Sequence, residues 1–68
     1  MLKTVVVHLR DPKAHLYQLV FKASEYEQGF PLKVHNTKEG YLIIEDAKEG
    51  VYETKAVFKE WIYWKKGE

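Results

Sequence analysis

The side chains that could do chemistry in this 68-residue chain are few and scattered. With no cysteine present, His8, His15 and His35 are the only candidates for a metal site. Such a site needs at least three donors converging on the ion at about 2 Å. If the first strand and the stretch after Pro12 form a hairpin with Arg10 opposite His15, then His8 faces Tyr17 and the histidines do not converge. The Arg10 charge beside His15 would also repel a cation. Neighbouring carboxylates occur at Glu25/Glu27, Glu45/Asp46 and Glu49/Glu53. General acid–base catalysis needs two of them held across a cleft with their pKa values pushed apart. All three pairs sit in or beside predicted turns, where solvated charge is the ordinary role. Ser24 is the only serine and belongs to no nucleophile-elbow pattern. Gly29, Gly40, Gly50 and Gly67 are isolated, so no phosphate loop is formed. The sequence therefore offers no catalytic residue, no metal site and no cofactor site, and it predicts a protein that is not an enzyme.

What remains is aromatic residues interleaved with lysines: Lys55, Phe58, Lys59, Trp61, Tyr63, Trp64, Lys65 and Lys66. In extended chain, Trp61 and Tyr63 take one face and Ile62 and Trp64 the other, and a core this small does not hold both sets. One face is left over, and a contiguous exposed apolar patch on a small domain marks a contact surface. Trp61, Tyr63 and Trp64, with Lys55, Lys59, Lys65 and Lys66 around them, are the expected binding residues. Eleven basic and ten acidic residues give a formal charge of +1, with the signs mixed along the chain. That balance lacks the basic excess of a phosphate-binding surface. Protein contact therefore ranks first, with a protein partner or a homo-oligomer joined through an edge strand or the aromatic face. The alternative is single-stranded nucleic acid, its bases stacked on the rings and its phosphates met by the lysines. On the first reading Trp64→Lys is expected to disturb association and spare the fold.

The elements that position these residues read as strands. Residues 3–10, KTVVVHLR, are rich in β-branched side chains. Asp11-Pro12-Lys13-Ala14 matches a type I turn. Tyr17, Leu19, Phe21 and Ala23 continue with period two, which favours a second strand. A rival helix over about residues 12–28 has Asp11 as N-cap, Pro12 in its first turn and Gly29 beyond its end. Short strands follow at Leu32–His35 and Tyr41–Glu45. Turns follow them at 36–40 and 46–50, the second with its charges in solvent. From Val51, the residues Tyr52, Thr54, Ala56 and Phe58 alternate with Glu53, Lys55 and Lys59, as in a half-buried strand. Lys59-Glu60 breaks the pattern as a corner between strands does, and the core is expected to gather around that bend. Residues 65–68 are expected to fray. The fold class is all-β, a single domain over residues 1–68 forming a small antiparallel sandwich or barrel of five to six strands. The alternative is α+β, in the order β-α-β-β-β.

The closing pattern, a strand ending in AVF, a two-residue corner and then WIYW, resembles the C-termini of short uncharacterised proteins of Gram-positive bacteria and of their bacteriophages and mobile elements. The likeness covers roughly the last third of the chain. It implies an origin and carries over no catalytic residue. The N-terminal apolar run, three valines after Thr4, is too short for a signal peptide or a membrane span. The absence of cysteine fits a reducing setting, so a cytoplasmic protein without membrane contact is expected.

Overall fold

The computed structural model describes residues 1–13 and 15–67. Ala14, in the expected type I turn, and Glu68, in the expected frayed tail, lie outside the described residues. Six strands follow in order: β1 (Thr4–Arg10), β2 (Leu16–Lys22), β3 (Lys33–Asn36), β4 (Leu42–Lys48), β5 (Val51–Phe58) and β6 (Trp61–Gly67). They form two antiparallel three-stranded sheets, ordered β2-β1-β6 and β3-β4-β5. The architecture is all-β and sandwich-like. The helix alternative over 12–28 does not form among the described residues, of which only Tyr26–Gln28 make a single 3-10 turn in that region. Tyr17, Val20 and Phe21 pair on β1, in keeping with their strand preference.

The β1–β2 hairpin is one residue out of the expected register. Arg10 pairs with Leu16, and Val5 with Phe21. The cause is the connection, which uses five residues, 11–15, instead of four. Asp11 Oδ1 accepts hydrogen bonds from the amides of Lys13 (2.9 Å) and His15 (2.8 Å), and Asp11 N donates to the His15 carbonyl. A carboxylate that satisfies two loop amides stabilises the wider loop. Because side chains alternate with period two, the one-residue shift decides which β2 residues face inward: Tyr17, Leu19 and Phe21.

The two sheets meet through aliphatic side chains. Val5, Val7 and Leu9 of β1, Leu42 and Ile44 of β4, and Leu32 ahead of β3 are the buried cluster. Phe58, Trp61 and Trp64 pack around that cluster and are only half-buried, so the core centres on β1 and β4, not on the bend at Lys59-Glu60. The bend itself is a corner as expected, since β5 ends in one sheet and β6 begins in the other. Residues 65–67 do not fray: Lys65 pairs with Val6, Lys66 with Val5 and Gly67 with Thr4.

The expected solvated turn at 46–50 is shorter than the sequence suggests. β4 runs on to Lys48, and the reversal is made by Glu49 and Gly50, both at positive φ (54° and 79°). Two consecutive left-handed residues are the signature of a tight hairpin turn. Asp46 is therefore inside, 6% exposed, and not a turn charge. Its carboxylate accepts hydrogen bonds from Ser24 N (3.1 Å), Ser24 Oγ (2.7 Å) and Ala47 N (2.9 Å). Glu25 reaches the same turn, accepting from the amides of Glu49 and Gly50. Together these carboxylates fasten the β2–β3 connection to the β4–β5 hairpin. Asp46→Ala leaves the Ser24 donors without their acceptor and is expected to cost about 1–3 kcal/mol in urea unfolding, while Ser24→Ala costs less.

Candidate interaction surface

Two β-bulges decide which aromatic residues reach solvent. His8 pairs with Tyr63, but Leu9 pairs with Trp61, so Ile62 is an extra residue on β6. The bulge resets the alternation. Trp64 pairs with Val7 and lies with Trp61 on the core side, whereas Ile62 and Tyr63 are exposed. The expected grouping of Trp61 with Tyr63 and of Ile62 with Trp64 is thus corrected. In β5 the same device acts at Lys55, where Ala56 pairs with Ile44 but Thr54 pairs with Glu45. The simple alternation from Tyr52 to Phe58 is broken there. Ala56 and Phe58 pack on the core, while Thr54 is exposed.

The four lysines expected to border the aromatic surface do not gather. Lys65, opposite outward-facing Val6, shares the outer face of β2-β1-β6 with Tyr63. Lys66, opposite Val5, is on the other side of the same sheet. Lys55 is the bulged residue of β5, and Lys59 lies in the corner with its ammonium 5.8 Å from the Tyr41 ring centroid. Of the seven sequence-predicted residues, only Tyr63 and Lys65 share an exposed strand face.

That face has other members. β1 contributes Thr4, Val6, His8 and Arg10, whose alternate neighbours are buried. The partners in β2 are Lys22, Val20, Gln18 and Leu16. The His8 imidazole stacks on Tyr63 with centroids 4.3 Å apart and planes 11° from parallel. Its Nε2 is buried and has no hydrogen-bond partner among the described residues. Here His8 faces Gln18, not Tyr17. A shallow groove runs over this stack, walled by Leu16 and Gln18 on one side and Ile62 on the other. Leu16 is 68% exposed, Val20 50% and Tyr63 48%.

β2 is more open still. It is the last strand of its sheet, and every residue from Leu16 to Val20 is exposed, including Tyr17 and Leu19 on the side that faces the second sheet. β2 therefore extends beyond the cover that β3-β4-β5 provides. Sequence reading placed the spare apolar surface on β6 because that is where the rings are dense. Its greater part is on β2, and the signal was the run LYQLVF itself, apolar at both parities.

No group of three or more His, Cys, Asp or Glu side chains converges among the described residues. His15 lies 3.5 Å from Asp11, and His35 lies 3.9 Å from Glu45, both at the surface. No helix of the described residues is long and apolar enough to cross a membrane. No family model, curated protein or solved structure matches the chain.

The bulge separates two substitutions that sequence reading would treat alike. Trp64→Lys removes a half-buried ring packed opposite Val7 and is expected to cost about 2–3 kcal/mol, so it is expected not to spare the fold. Tyr63→Lys loses only the exposed stack and is expected to cost about 1 kcal/mol. Chemical denaturation of both variants reads the difference.

Proposed function

We propose that this chain is a non-catalytic binding module whose contact surface is the open part of the sheet β2-β1-β6, and that its partner is protein. The observation that carries the reading is the exposure of Leu16 and Val20 on β2 and of Ile62 and Tyr63 on β6, with Leu16, Ile62 and Tyr63 lining one groove across β1. Lone exposed apolar side chains are ordinary, but several on the strands of one sheet make a patch, and on a small domain a patch is a contact site. Tyr63 suits this role because its ring is already held against His8 and loses little freedom on binding.

One observation favours nucleic acid as a second reading. The strand positions of the outer face carry Arg10, Lys22 and Lys65 and no carboxylate. A half-exposed tyrosine on a face that carries three cations has the elements a single strand uses for stacking and phosphate contact. It ranks second because the apolar members of the face outnumber the cations and one ring offers one stacking platform.

The two readings separate in sedimentation of the purified protein over a concentration series, with and without a mixed-sequence oligonucleotide at two salt concentrations. Protein contact predicts assembly, or a stable complex with a protein partner, that ignores the oligonucleotide and responds weakly to salt. Leu16→Lys, at an exposed position of β2, is expected to weaken that association by at least about tenfold while leaving far-UV circular dichroism unchanged. A monomer that co-sediments with oligonucleotide only at low salt reverses the ranking. A strict monomer that binds neither overturns both.

A further inference from the structure

We infer that the occupant of the open β2 edge is a second copy of this chain, paired strand to strand about a two-fold axis at Leu19; this inference rests on the protein-contact reading above and names its partner.

The first support is which backbone groups are free. The β1–β2 ladder is bracketed by hydrogen bonds from Ala23 N to Lys3 O (2.8 Å) and from Asp11 N to His15 O (3.0 Å). Hydrogen-bonded pairs alternate with non-bonded ones in an antiparallel ladder, so the odd-numbered residues of β2 bond inward to β1. The N–H and C=O groups of Leu16, Gln18, Val20 and Lys22 point out from the sheet edge. Such a row is a template for one more strand.

The second support is that the other three edges are guarded and this one is not. β3 is four residues long and carries Lys33 and His35. β5 is bulged at Lys55 and carries Glu53, and β6 is bulged at Ile62 and carries Lys65 and Lys66. Short length, bulges and charge are the devices by which proteins keep sheet edges from pairing. β2 is seven residues long, has no bulge or proline, and its only charged residue is Lys22 at its end.

The third support is self-complementarity, which argues for a copy of the chain over an unrelated strand. With Leu19 opposite Leu19 of the second copy, Tyr17 faces Phe21, Gln18 faces Val20 and Leu16 faces Lys22 of the second copy. This register pairs the whole of LYQLVFK. It matches the outward groups of Gln18 with those of Val20 and sets an aromatic pair on each side of the axis. No like charges face each other, because each Lys22 is opposite a leucine. The product is a continuous six-stranded sheet. The inward side chains Tyr17 and Leu19, which the second sheet leaves exposed, would then be covered by their counterparts.

The absence of native cysteine makes the axis testable. Leu19→Cys places one thiol on each side of a non-hydrogen-bonded pair, where Cα atoms are about 4.5 Å apart and a disulfide can close. Mild oxidation is expected to give a covalent dimer with the wild-type circular dichroism spectrum, while Val57→Cys, comparably exposed on β5, stays monomeric. Val20→Pro removes an outward N–H that β1 does not use, so it is expected to give a folded monomer. Should that variant fail to fold, Leu19→Lys tests the same edge by opposing two ammonium groups across the axis, and a folded monomer is again expected. Failure of Leu19→Cys to cross-link overturns the edge pairing. A dimer that survives Val20→Pro or Leu19→Lys but is lost in Tyr63→Lys also overturns it, while the protein-contact reading stands. A wild-type monomer at every concentration overturns the second copy as occupant.

Discussion

The structure depends on one contact, the meeting of Val5, Val7 and Leu9 on β1 with Leu42 and Ile44 on β4, with Leu32 beside them. A chain of this length buries only about 60% of the surface its unfolded form exposes, so there is room for a single such cluster. Both strands are the middle members of their sheets, and each is covered by a neighbour on either side. The aromatic residues frame the cluster: Phe21 meets Phe58 edge to face, and Trp61 donates its indole N–H to the Gly40 carbonyl at 2.8 Å. Polar groups are used where the chain changes sheet. Asp46 and Glu25 tie the long β2–β3 connection to the hairpin beneath it, replacing the apolar contact that so small a core cannot supply there.

A sandwich of two open sheets has four edges, and the irregularities of this fold fall on them. The bulges at Ile62 and Lys55 both lie on edge strands. Each one turns a side chain from the core face to solvent and interrupts the row of backbone groups along that edge. At Ile62 the bulge brings Trp61 and Trp64 to the same side, which strengthens the core and leaves Tyr63 on the outside against His8. The same local irregularity thus serves packing, edge protection and the exposed surface. β2 has no such irregularity, and it is the edge where apolar side chains stand exposed on both faces.

The sequence by itself determined the class of fold. β-branched and aromatic runs separated by turn residues specify strands, and the break in alternation at Lys59-Glu60 marks the corner where the chain passes from one sheet to the other. It also determined that chemistry-bearing side chains are too dispersed along the chain to suggest a motif. Tertiary structure decided everything that depends on counting by one residue. The loop closed by Asp11 shifted β2 by one position, and the bulge at Ile62 exchanged the faces of Trp61 and Ile62. Continuation of β4 carried Asp46 from an expected turn into the interior. The physical reason is common to all three. Strand side chains alternate with period two, so a single inserted or shifted residue inverts the face of all that follows, and local composition does not encode the insertion. Whether a lysine lies beside a ring is decided by the same parity together with strand order. That is why Tyr63 shares its face with Arg10 and Lys22 of other strands as well as with Lys65, while Lys66 is turned to the other side.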